Sequence, residues 1–213
     1  MTDISLDWLA ENFGDKCITV FEIGCAAMQD SINFKTVIPR GQFYAFECCN
    51  DWWDINHRLS VDYGIYYFHC ALSDTDGETL FYPTATLGGQ PWSYSGSICP
   101  PMDQPLADTA FGWGEPYKVK TVRLDTFCDT FTVTPDFIHI DVQGAEHKVL
   151  ASMGRHRPKA IWAEICDFDS VYTTGVTHRD FTALLQGLGY SLWAQKGADE
   201  LYVLDGCTVT EML

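Results

Sequence analysis

Two β-rich runs close the chain, Tyr190 to Gln195 and Leu201 to Leu204, and only Lys196-Gly-Ala-Asp-Glu200 separates them. Five residues suffice for an antiparallel hairpin, whereas a parallel crossover takes a dozen or more. The chain upstream reads differently. Cys17-Ile-Thr-Val-Phe-Glu-Ile-Gly24 is a continuous apolar run, as found in strands buried on both faces of a parallel sheet. A helix follows over about Ile32 to Val37, with Asp30 and Ser31 as candidate caps, then a strand over Gln42 to Glu47. The alternation continues with a helix over Trp52 to Leu59 and a strand over Ile65 to Leu72. A short extra strand over Glu78 to Tyr82 comes next. Strands over Lys118 to Leu124, Phe137 to Asp141 and Ala160 to Ile165 are expected beyond it. Helices from Gly144 to about Met153 and from His178 to Leu188 fill the intervals. The pattern predicts an α/β fold: a doubly wound, mostly parallel seven-stranded sheet with an antiparallel last strand. At 213 residues it forms one domain spanning 1–213.

Between Pro83 and Pro116 the alternation breaks into Gly, Pro, Ser and aromatic residues. A stretch this long inside a compact domain reads as a lid or binding loop, with disorder and extra strands as alternatives. Its Trp92, Tyr94, Phe111 and Trp113, with Tyr117 beyond, are suited to stack on a sugar or planar ring, or to cover a sheet edge. The balance of 29 acidic against 13 basic residues gives a charge of −16, which repels phosphate backbones and anionic lipid. No nucleic acid and no membrane partner is expected. Arg40, Arg155, His156, Arg157 and Lys159 form the basic candidates for holding one phosphate or carboxylate. The nine cysteines are scattered, mostly within apolar runs, and no pair has metal-site spacing. Reduced thiols in a cytoplasmic protein are expected. The beginning of the sequence, without a basic region or long apolar stretch, argues against secretion. The tryptophan-rich surface leaves a homodimer open.

In an open α/β sheet, ligands bind beyond the carboxyl ends of the strands where strand order reverses. Three strand ends carry suitable groups. At Glu22-Ile-Gly24-Cys25, Gly24 lets a ligand approach the backbone, and the following helix start offers free N–H groups. Ala26 and Met28 spoil the dinucleotide pattern, and Met28 is expected to crowd a pyrophosphate. Glu47 ends the next strand 23 residues after Gly24, where an acidic residue hydrogen-bonds ribose hydroxyls. At His139-Ile-Asp141-Val-Gln143-Gly144-Ala-Glu146, period-two alternation puts His139 and Asp141 on one face. His139 also reads as a core residue, and Glu146 as a charge favouring a helix N-terminus.

Taken in order from about Thr19 to Glu164, these segments resemble the FkbM family of S-adenosylmethionine-dependent methyltransferases. Phe-Glu22-Ile-Gly24-Cys25-Ala-Ala-Met-Gln-Asp30-Ser31 resembles the family's first motif, and Tyr-Ala-Phe-Glu47 its "aFEP" ribose motif. Ala71-Leu72-Ser73-Asp74 is similar to "ALSD", and Ile-His139-Ile-Asp141-Val-Gln143-Gly144-Ala-Glu146 to "iKiDvEGaE". Ser95-Gly-Ser97 falls at a serine-containing loop segment and Trp-Ala-Glu164 at a strand-ending Glu. The chain departs from the family at Glu22 for Asp, Ala26 for Asn, Met28 for Gly, Cys48 for Pro, His139 for Lys and Gln143 for Glu. The antiparallel seventh strand is likewise the architecture of these methyltransferases. The resemblance implies S-adenosylmethionine as cofactor, held by Glu22, Gly24, Cys25, Asp30, Ser31, Glu47, Leu72, Ser73 and Asp141. It implies O-methylation of a small-molecule or glycan hydroxyl, with Trp92, Ser95, Ser97, Gln143, Glu146 and Glu164 on the acceptor side. Asp141 is the first candidate base and His139 the alternative. A metal held by His139, Asp141 and Glu164 lacks a defined geometry, so none is assigned. An inactive binding module of the same fold and a nucleotide-dependent oxidoreductase are the rival readings.

Overall fold

A computed structural model describes residues 6–102, 110–165 and 171–209. Cys166 and residues 103–109 of the loop therefore lie outside the described residues. Helix α1 (Leu6–Phe13) opens the described chain, followed by β1 (Thr19–Ile23), α2 (Gln29–Val37) and β2 (Gln42–Phe46). Next come a 3-10 turn (Asn50–Trp52), α3 (Trp53–Tyr63), β3 (Tyr66–Phe68), β4 (Ala71–Ser73) and β5 (Gly77–Phe81). The loop region carries β6 (Thr84–Leu87), β7 (Gln90–Pro91) and β8 (Phe111–Trp113). It is followed by β9 (Tyr117–Arg123), α4 (Leu124–Phe131), β10 (Phe137–Ile140) and α5 (Glu146–Ala151). The chain closes with β11 (Ala160–Glu164), α6 (His178–Gly187), β12 (Tyr190–Lys196) and β13 (Asp199–Leu204).

The main sheet has seven strands in the order β12-β13-β11-β10-β1-β2-β3. Only β13 runs antiparallel, pairing β11 on one side and β12 on the other. The expected hairpin thus places the last strand inside the sheet rather than at its edge. Strands β1, β10 and β13 are almost wholly buried because helices cover both faces. One face packs Phe21, Ile23, Ile138 and Ile140 against α4, α5 and α6. The other packs Val20, Phe137 and Trp162 against α1 and α2 through Trp8, Phe13 and Phe34. Strand order reverses between β1 and β10, so the turns after these two strands meet at one end of the sheet. Among the described residues, no helix is long and apolar enough to cross a membrane.

Several expected elements differ. The run Ile65 to Leu72 is two strands in two sheets. A turn closed by Cys70 N–H to Phe68 O (3.0 Å) takes β4 out of the main sheet to pair β9. The loop carries its own three-stranded sheet, β7-β6-β8. Helices α1 and α4 were not expected, although Leu124, Phe127 and Cys128 are buried at i, i+3 and i+4. Neither Asp30 nor Ser31 caps α2. Its N-cap is Met28 at φ 59°, and both residues lie inside the first turn.

Candidate active site

Gly24 fixes the centre of the site. It sits at φ 84°, and a Cβ there would fall 1.8 Å from the Asp141 carbonyl oxygen. The turns after β1 and β10 touch at this point, and only glycine permits that approach. The same turn is clamped from β2, whose Phe46 O accepts the N–H groups of Gly24 (2.9 Å) and Cys25 (3.0 Å). Asn56, the buried residue of α3, donates through Nδ2 to Ala26 O (2.6 Å). Sequence reasoning missed Asn56; its signal is an amide on the inner face of a helix.

Around these turns lies a cavity of about 620 Å³, within the usual range for small-molecule sites. Gly24, Cys25, Asp30, Glu47, Leu72, His139, Asp141, Gln143 and Glu164 line it, with Trp92, Ser95 and Ser97 on the loop side. The other predicted residues fall elsewhere. Glu22 is buried behind the turn, where its Oε2 accepts the Ser31 N–H (3.1 Å). Ser31 is itself buried in α2 and Ser73 bonds Asp74, so neither lines the cavity. Glu146 is fully buried, and its Oε1 accepts the N–H groups of Val142 (3.0 Å) and Gly144 (3.1 Å). It shapes the β10 turn instead of meeting an acceptor.

Met28 corrects a second expectation. Its side chain is fully buried in the α1/α2 core and does not line the cavity, so it crowds no ligand there. Of the five loop aromatics, Trp92 and Tyr94 line the cavity. They are joined by Trp52, whose ring centroid lies 4.7 Å from that of Tyr94. Phe111, Trp113 and Tyr117 do not line it. Tyr117 instead accepts the Asn50 N–H (2.9 Å). The basic candidates are engaged locally: Arg155 and His156 with Asp129, Lys159 with Asp136, and Arg157 with backbone carbonyls.

Glu47 accepts the Cys49 N–H on Oε1 (2.7 Å) and the Ala26 N–H on Oε2 (2.9 Å). Burial raises its pKa while those backbone N–H groups oppose the rise. The carboxyls of Asp141 and Glu164 are neighbours in the cavity lining. Burial first and the neighbouring charge second hold Asp141 well above the usual carboxylate range. Gln143 Nε2 donates to Asp141 Oδ1 (2.6 Å) from a backbone at φ 55°. His139 and Asp141 both line the cavity but face different partners. His139 packs edge-on against Phe34 and Trp162, both at 5.4 Å between ring centroids, and burial lowers its pKa.

The family model of the methyltransferase FkbM domain matches residues 12–192, most of the chain. The chain belongs to the FkbM methyltransferase family. An FkbM methyltransferase structure from Methylobacillus flagellatus KT aligns with this FkbM domain at TM-score 0.52 and 11% identity. The alignment covers 88% of this chain and 43% of that one, so the domain spans less than half of its relative's length. Fibrillarin from Aeropyrum pernix, solved with natively bound S-adenosyl-L-methionine, aligns at TM-score 0.51 and 10% identity. It covers 91% of this chain and 67% of its own. At these identities the likeness concerns the fold, that of class I methyltransferases. No curated protein matches the sequence.

Proposed function

We propose that this chain binds S-adenosylmethionine at the meeting point of the β1, β2 and β10 turns and methylates a hydroxyl of an uncharged small molecule or glycan. Glu47 carries the reading. It follows β2 beside the glycine turn, its carboxylate is oriented by backbone N–H groups, and it lines the cavity where its oxygens can meet a pair of ribose hydroxyls. The lining also suits a cation, since it holds Asp30, Glu47, Asp141 and Glu164 and, among the described residues, no Lys or Arg. The same absence disfavours a phosphorylated acceptor, and nucleic acid with it.

When bound, S-adenosylmethionine supplies a methyl group on a sulfonium, which leaves the protein to align the acceptor and remove one proton. Burial raises the pKa of both Asp141 and Glu164, which strengthens either carboxylate as the group that takes the proton of an acceptor hydroxyl. This replaces His139 as the alternative base. Trp52, Trp92 and Tyr94 form an aromatic wall on which an uncharged ring can stack. The eight free thiols among the described residues fit a reducing, cytoplasmic compartment.

Calorimetric titration with S-adenosylmethionine and its demethylated product tests the reading. The wild type binds both, and Glu47→Gln weakens binding at least about tenfold, because a hydrogen bond to a charged group contributes about 1.5–3 kcal/mol. Absence of wild-type binding at millimolar ligand overturns it.

A further inference from the structure

Glu22 on β1 and His139 on β10 stand opposite each other in register, on the sheet face covered by α2. The first turn of α2 adds Asp30. One donor atom from each of these three side chains lies within 4.8 Å of the others. His139 is 2% exposed, yet neither Nδ1 nor Nε2 has a hydrogen-bond partner among the described residues. Buried imidazole nitrogens are ordinarily satisfied, whereas here two carboxyls stand close by and neither bonds the ring. Around a tetrahedral ion with bonds of about 2.0–2.2 Å, donor atoms stand about 3.3–3.6 Å apart, so side-chain movements of at most about 1.5 Å close the set.

We propose that Glu22, Asp30 and His139 form a binding site for one divalent transition-metal ion, with Zn²⁺ as the best fit. One imidazole and two carboxylates suit borderline ions, whereas Mg²⁺ prefers an all-oxygen, largely hydrated shell. Two carboxylates and a neutral imidazole cancel the ion's charge, which makes the buried position tolerable. Asp30 also lines the cavity and gives the ion a path in from that side. The ion ties β1, β10 and α2 together beneath the glycine turn. The site shares only His139 with the triad considered from sequence, and it does not depend on the identity of the cofactor.

The test uses the full chain stripped with chelator, titrated with Zn²⁺ by calorimetry and with Co²⁺ by visible absorption. His139→Phe keeps a ring between Phe34 and Trp162, and Asp30→Asn alters a half-buried position if the first variant folds poorly by circular dichroism. The expected result is one Zn²⁺ per chain, weakened more than about 100-fold in His139→Phe and more than about tenfold in Asp30→Asn. Both exceed or match the 10–100-fold losses typical of outer-shell changes. Co²⁺ gives a ligand-field spectrum without a thiolate charge-transfer band. Absence of binding at millimolar Zn²⁺ overturns the proposal. So does unchanged affinity in folded variants, or a thiolate band that places the ion on the cysteines.

Discussion

Glu146 shows how a residue of the most distinctive motif serves the site without touching it. Its carboxyl is fully buried, with Oε1 holding two turn N–H groups and Oε2 without a hydrogen-bond partner among the described residues. Burial pushes its pKa up to about 7 from an ordinary 4.5. The folded protein therefore binds more protons than the unfolded chain between those values. Stability falls as pH rises from about 4.5 to 7, by a total on the order of 3 kcal/mol. Glu146→Gln keeps an acceptor for the turn and removes the buried charge. Denaturant titration should find it no more stable than wild type at pH 4 and more stable at pH 8; equal stability at both pH values refutes the account. Glu146→Ala destabilises at pH 4, where the carboxyl is neutral, because the Val142 and Gly144 N–H groups lose their acceptor. Glu47, Gly24 and Asp141 were legible from sequence because a strand-ending acid or glycine has one place to go in such a sheet. The placement of Glu22, Met28 and Ser31 was not. Non-glycine residues at positive φ, here Ala26 and Met28, redirect side chains in ways that spacing alone does not reveal.

At the scale of elements, the parallel core and the terminal hairpin were readable because continuous apolar runs and a five-residue gap each admit few structures. The split of β3 from β4 was not, since both lie in one run and only a tight turn at 69–70 and a change of pairing partner separate them. The sheet β7-β6-β8 was hidden for a similar reason: its strands are short, set among Gly and Pro residues, and stabilised by one another. This sheet carries the loop that walls the cavity. The loop is pinned from the far side by Tyr172, whose hydroxyl donates to Ser95 O, and by the bridge between Tyr172 and Pro101. Tyr172→Phe removes that hydrogen bond while keeping the ring against Trp113. A loss of about 1 kcal/mol raises local opening roughly fivefold. Hydrogen exchange should therefore quicken by that factor in residues 93–99 and stay unchanged in β1 and β10. Uniform acceleration would instead mean that Tyr172 supports the whole fold.

Over the whole molecule, the charge of −16 and the acidic lining of the cavity act on a ligand at different ranges. The general field is screened by salt, whereas carboxylates buried beside the ligand are screened much less. S-adenosylmethionine carries one positive charge more than its demethylated product, so the two ligands separate these contributions. Going from about 10 mM to about 1 M salt shortens the screening length from about 30 Å to about 3 Å. The affinity for the sulfonium form should fall several-fold over that range while that for the product changes little, so the preference for the methyl donor narrows but persists. A preference that vanishes at high salt would assign selection to the surface field alone and leave Asp30, Asp141 and Glu164 without a part in it. A preference indifferent to salt would place discrimination wholly within the cavity, where Asp30, Glu47, Asp141 and Glu164 face the sulfonium.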